Sequence, residues 1–195
     1  DLAMTFILMA PRRIGEAERF LRSGKWLQGR MDLGTTVRGK RLGILGLGRI
    51  GRAVARRAEV FGLNIAYYDT KPMGDLAYRS YPTLRDLAAA SDMLLVACEG
   101  GTATRGLVDA DVLNALGPDG FLINTARGPI VDQAALVAAL RDKRIAGAAL
   151  DVFDGEPQVP AELMAMENVV LTPHIASSTH ETRRAMGDLV YDNLR

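Results

Sequence analysis

Arg127, Glu156 and His174 are the residues of this 195-residue chain whose types and settings suit chemistry on a small oxyanion. Arg127 sits in Asn124-Thr125-Ala126-Arg127-Gly128, Glu156 in Asp151-Val152-Phe153-Asp154-Gly155-Glu156-Pro157, and His174 in Leu171-Thr172-Pro173-His174. A guanidinium is planar and always charged. It can therefore hold a carboxylate by two hydrogen bonds and polarise a neighbouring carbonyl, a task lysine does less well. An imidazole can give that carbonyl oxygen a proton, and a glutamate hydrogen-bonded to the ring would stabilise its charged form near neutral pH. Each residue also has a blander reading alone: a solvated loop arginine, an exposed glutamate before proline, a structural histidine. His180 falls within the last predicted helix and is read as surface or interface. Cys98 has no base beside it in sequence and is read as packing, and no metal is expected.

A second constellation lies upstream. Gly46-Leu47-Gly48-Arg49-Ile50-Gly51 follows an apolar run of strand length and opens a stretch of helical periodicity, the context that gives a G-x-G-x-x-G motif its meaning. Gly46 would permit the tight turn, Gly48 the close approach of backbone to a pyrophosphate, and Gly51 the packing of helix on sheet. The helix start supplies free N–H donors and partial positive charge for the anion. Asp69, at the end of the next strand and 18 residues beyond Gly51, is placed to accept hydrogen bonds from an adenosine ribose. A carboxylate there disfavours a 2′-phosphate, which points to NAD over NADP, although Lys71 partly offsets this. Beside a nicotinamide ring, Arg127, Glu156 and His174 would suit reduction of a ketone next to a carboxylate, where hydride addition leaves negative charge on the carbonyl oxygen.

These residues need a scaffold that brings them to one edge. From Arg41 onward, six strand-length runs alternate with helical stretches: Arg41–Leu45, Asn64–Tyr68, Met93–Val96, Phe121–Asn124, Gly147–Leu150 and Val169–Leu171. Helices are expected over residues 50–61, 84–90, 109–116, 132–141 and 178–194. The pattern predicts an α/β fold of Rossmann type, a doubly wound parallel sheet with helices on both faces. In such a sheet Arg127, Glu156 and His174 all project at the carboxyl edge, which also binds the dinucleotide.

Residues 1–40 differ. One helix is expected from Leu2 to about Ser23-Gly24, then an irregular stretch with Trp26, the whole reading as a connection or subunit-contact arm. The opening at Asp1 and the helical pattern still running at Asn193-Leu194-Arg195 suggest a fragment. A net charge of +1 gives no footprint for nucleic acid or a membrane surface. The apolar runs are far shorter than the roughly 20 residues of a membrane span, and no signal peptide opens the chain. A single cysteine fits a reducing cytoplasm.

The motifs resemble those of the D-isomer-specific 2-hydroxyacid dehydrogenases. The resemblance runs through residues 45–51 and 124–132, through Ala149-Leu150-Asp151-Val152-Phe153 followed by Glu156-Pro157, and through Thr172-Pro173-His174-Ile175-Ala176-Ser177. It implies that Arg127, Glu156 and His174 are catalytic. It also implies that Gly46, Gly48, Arg49, Ile50, Gly51, Asp69, Ala126, Arg127 and Asp151 bind the cofactor. Family members carry a separate substrate domain, of which no segment is found here, so residues 41–195 are expected to be the cofactor domain alone. The resemblance further implies a homodimer made through the arm, with Trp26 a candidate to reach the partner's site. Ala97-Cys98-Glu99-Gly100-Gly101 lacks the proline common in the family and leans toward the glyoxylate/hydroxypyruvate reductase branch. A dinucleotide-sensing corepressor and a dehydrogenase of another anion such as phosphite remain alternatives; the formate branch resembles glutamine where this chain has Glu156.

Overall fold

The computed structural model describes residues 1–71 and 77–194. Arg195, where the predicted helical pattern ends, lies outside them. Seven strands form one all-parallel sheet: β1 (Arg41–Leu45), β2 (Asn64–Tyr68), β3 (Arg79–Ser80), β4 (Met93–Val96), β5 (Phe121–Asn124), β6 (Gly147–Leu150) and β7 (Val169–Leu171). Their order is β3-β2-β1-β4-β5-β6-β7, so the chain reverses direction of growth between β1 and β4. The six expected strands are found at their expected bounds; β3, two exposed polar residues at the edge, was not foreseen.

Alternation along the strands sorts two cores, as a sheet buried on both faces requires. Leu42, Ile44, Met93, Leu95, Ile123 and Ala149 point to the layer of α1 (Leu2–Met9) and α3 (Arg49–Val60). Leu45, Leu94, Val96, Leu122, Ala148 and Leu150 point to the layer of α4 (Leu84–Ala89), α5 (Ala110–Leu116), α6 (Gln133–Arg141) and α7 (Ala161–Ala165). Thr83, Asp109 and Asp132 cap α4, α5 and α6 through their side chains. No helix among the described residues is long and apolar enough to cross a membrane.

The amino-terminal segment corrects the expectation of one helix. Apolar periodicity runs through Pro11, but proline lacks an N–H and its ring clashes with the preceding turn. The helix therefore ends at Met9, Arg13 takes a left-handed conformation (φ 55°), and α2 begins anew (Ile14–Arg22). α1 belongs to the core, with Phe6 and Ile7 wholly buried against the sheet. α2 buries no residue and is tethered by Arg19, which donates to the Glu167 carboxylate at 2.8 Å and carbonyl at 3.1 Å. Beyond it, Trp26, Leu27 and Leu33 are exposed. The last helix, α8 (His180–Asn193), begins with His180 and also buries nothing.

Candidate active site

Register makes the site. Leu45, Val96, Asn124, Leu150 and Leu171 lie side by side as the last residues of β1, β4, β5, β6 and β7. The loops that leave them therefore start level, at one edge, about 4.8 Å apart from strand to strand.

After β1 the chain turns at Gly46 (φ 91°), a conformation L side chains avoid, and a Cβ there would meet the Cys98 backbone at 2.5 Å. A Cβ on Gly51 would strike the Gly46 carbonyl oxygen. Gly48 is different: nothing lies within 4 Å of where its Cβ would be, so the backbone is open to a ligand. Gly48 is also the N-cap of α3, and, as at α1, α2 and α7, no side chain caps the helix start. An uncapped helix start facing open space suits a diphosphate. Arg49 and Ile50, with Thr125 and Ala176, line an adjoining cleft of about 320 Å³. Asp69, at the end of β2, accepts from Leu47 N at 2.8 Å and Lys71 N at 3.0 Å, which ties it to the glycine turn. Burial pushes the Cys98 thiol up to about 11, so it stays protonated and packs. A larger cavity, about 630 Å³, opens at the opposite edge, where β5, β6 and β7 begin.

His174 and Glu156 are brought together: His174 Nδ1 lies 2.7 Å from Glu156 Oε2. Glu156 Oε1 accepts from Phe153 N at 2.9 Å, which fixes the carboxylate over its own loop. Burial raises the Glu156 pKa, but the His174 and Phe153 hydrogen bonds, with the charges of His174 and Arg127, outweigh it and hold the group below its ordinary value. The Arg127 charge is thus felt at the pair. Arg127 is exposed, and its Nη1 donates to the Ala126 carbonyl at 2.7 Å. Its stem covers Gly100, where a Cβ would collide with Arg127 Cγ.

Three further residues hold the loops of the site in place. Asn124, 1% exposed, accepts from Ala126 N at 3.0 Å and donates to Arg127 O at 3.1 Å, pinning the turn that carries Arg127. Gln133 grips the Asp154 backbone from both sides, accepting from its N–H at 3.0 Å and donating to its carbonyl at 3.3 Å. Gly128 lets these two loops touch, because a Cβ there would overlap the Phe153 carbonyl. Asp151, expected to bind cofactor, is wholly buried and turned toward the loop of His174. An asparagine ending a strand before a turn was the available signal for Asn124; the sequence carries none for Gln133.

The model of the family described as D-isomer specific 2-hydroxyacid dehydrogenase, NAD binding domain, matches residues 4–176. The chain belongs to this family. Among curated relatives of this NAD-binding domain, glyoxylate/hydroxypyruvate reductase A of Arabidopsis thaliana is 54% identical over 194 residues, covering 100% of the chain and 62% of that protein. Hydroxyphenylpyruvate reductase of Plectranthus scutellarioides is 48% identical, with coverages of 100% and 62%. Among solved structures, the NADPH-dependent glyoxylate/hydroxypyruvate reductase of Sinorhizobium meliloti, in complex with NADP and malonate, superposes with a TM-score of 0.95 at 49% identity. It is covered to 61% of its length, and this domain to 100%. The chain thus spans about three fifths of the relatives it matches.

Proposed function

We propose that the protein is a dinucleotide-dependent D-2-hydroxyacid dehydrogenase that interconverts a 2-keto acid and its 2-hydroxy acid. The observation that carries this reading is the His174–Glu156 pair at 2.7 Å, standing with Arg127 on the same sheet edge as the glycine turn. Arg127 holds the substrate carboxylate and polarises the adjacent carbonyl. A bound reduced nicotinamide supplies the hydride. His174 donates a proton from Nε2 to the carbonyl oxygen as negative charge gathers there, and Glu156 orients the ring through Nδ1 and stabilises its protonated form. Gly46, Gly48, Arg49, Ile50, Gly51, Asp69 and Ala126 hold the cofactor. The Asp69 carboxylate supports NAD over NADP, since it would repel a 2′-phosphate.

Glyoxylate and hydroxypyruvate are the substrates we favour, because relatives at 54% and 49% identity carry those names. We further propose a cytoplasmic homodimer, with residues 1–40 contributing the contact through α2 and the exposed Trp26, and residues 41–195 forming the cofactor domain.

NADH and NADPH fluorescence titrations of this chain, with glyoxylate or hydroxypyruvate then added to the intact protein, test the proposal. Expected are tighter NADH binding, keto-acid-dependent NADH oxidation, and loss of turnover by about 10²–10⁴-fold in His174→Ala with NADH affinity kept. Binding without turnover on any keto acid would move the reading to a dinucleotide-sensing protein. Absence of binding would overturn the assignment of the glycine turn.

A further inference from the structure

The N–H, carbonyl and carboxylate of Asp154, two residues before Glu156, are each engaged by a segment outside their own loop. The N–H donates to Gln133 Oε1 at 3.0 Å, the carbonyl accepts from Gln133 Nε2 at 3.3 Å, and the carboxylate accepts from Arg105 Nη1 at 3.2 Å. A carboxamide that meets one residue's N–H and C=O together fixes that residue's orientation as well as its distance, as a neighbouring strand does. Beyond Asp154 the chain turns at Gly155 (φ 88°), and the Glu156 side chain folds back to accept from Phe153 N at 2.9 Å. The loop is closed on itself and clasped at its middle.

Gln133 is a firm point to hold from. It is half-buried and is the first residue of α6; the preceding Asp132 caps that helix, and the Asp132 N–H donates to the Val108 carbonyl at 3.0 Å. Residues 127–133 are continuous, so the loop that begins at Arg127 ends at the side chain that holds the loop of Glu156. The two loops also touch at Gly128, where a Cβ would lie 2.0 Å from the Phe153 carbonyl oxygen. One contact between two loops leaves a hinge, and a second removes it.

We propose that Gln133 is a positioning residue for the Glu156–His174 pair. Through Asp154 it sets where the Glu156 carboxylate stands relative to Arg127, and so where His174 meets a substrate held by Arg127. Arg105 adds a weaker hold on the same residue, since its ion pair is exposed to solvent. The assignment rests on the reading of His174 as the acid. A tie of this kind acts on the chemical step through Glu156 and leaves the dinucleotide site alone.

Two substitutions test it. Gln133→Met keeps the length of the side chain and removes both hydrogen bonds. Gln133→Glu keeps an acceptor for the Asp154 N–H but sets an oxygen against its carbonyl. In the intact protein with glyoxylate or hydroxypyruvate, kcat is expected to fall about ten- to a hundredfold in the first, as for a small misplacement of a reacting group, and about threefold in the second, for one neutral hydrogen bond. KM and the NADH dissociation constant should each stay within about twofold of wild type. Because the effect runs through Glu156, Gln133→Met should cost less than about twofold where Glu156 is already replaced by Gln. In ¹⁵N-histidine spectra of the same protein, assigned by the signal lost in His174→Ala, the Nδ1 signal of His174 should broaden in Gln133→Met and shift partway in Gln133→Glu.

Wild-type kcat with an unmoved His174 signal in Gln133→Met would overturn the proposal. So would an equal loss of kcat in the Glu156→Gln background, which would mark a general structural role, or weakened NADH binding with the His174 signal intact. Gln133→Glu carries the same comparisons if Gln133→Met fails to fold. If the intact wild-type protein turns over no 2-keto acid, the dehydrogenase reading falls, while the spectra still decide whether Gln133 sets the Glu156–His174 pair.

Discussion

Glu156 is pulled in two directions. Its partial burial favours the neutral acid, while His174, the Phe153 N–H and the Arg127 charge favour the carboxylate and prevail, so its pKa in the fold lies below the usual 4.5. A depressed carboxyl contributes stability that is fully present above its unfolded value and is lost as pH falls through the folded value. We therefore expect thermal melts of Glu156→Gln to be less stable than wild type at neutral pH, the gap closing as pH drops below the ordinary glutamate range. Parallel curves down to the acid limb would refute it. At this scale the sequence revealed charged and glycine positions well, because their chemistry is intrinsic to the residue type. It concealed the contacts of Asn124 and Gln133. Their contacts are with backbone groups brought near by the fold, and backbone groups leave no trace in residue types.

The elements carry those residues, and each is fixed by local chemistry that can be perturbed separately. Asp132 closes the loop from Arg127 and caps α6, accepting from Ala135 N at 3.0 Å. Asp132→Ala should cost about 1 kcal/mol, seen as a drop in Tm of about 2–4 °C for a chain of this size; an unchanged Tm would mean the cap is dispensable. The same locality explains what was legible. The apolar runs Met93–Val96 and Gly147–Leu150 are buried on both faces, so their sequence is continuously apolar and their bounds could be read to the residue. β3 consists of Arg79 and Ser80, both exposed, and held no pattern to read. α7 has five residues and follows Pro160, too short for periodicity to emerge. Pro11 did announce the break between α1 and α2, but Phe6, Ile7, Ala10 and Ile14 keep helical spacing across it and masked the signal.

On the scale of the whole molecule, α2 and the segment after it bury nothing, while Trp26, Leu27 and Leu33 stand 68%, 94% and 93% exposed. Under the proposed homodimer these residues meet a second copy. Sedimentation equilibrium should report a dimer at micromolar concentration. Leu27→Asp with Leu33→Asp should weaken it by at least tenfold, given about 1.5–3 kcal/mol per buried leucine; an unaltered association constant would place the contact elsewhere. The doubly wound order was legible because strand and helix periods alternate cleanly from Arg41. The packing of α1 into the core was not, because nothing in its apolar face distinguishes a partner in the same chain from one in another.

The two hydrophobic layers divided by the sheet also divide the support of the site between them. Leu47 of the glycine turn packs with α1 and α3, whereas Phe153, Ile130 and Ala126, beside the Glu156 and Arg127 loops, pack with the opposite layer. The two layers meet through strand backbone, which is indifferent to side-chain identity. The surroundings of the glycine turn and those of the Glu156 and Arg127 loops can then drift as separate hereditary units. Compensating substitutions would accumulate within a layer and seldom across it, so one half could be transplanted from a distant relative while the other kept its own history.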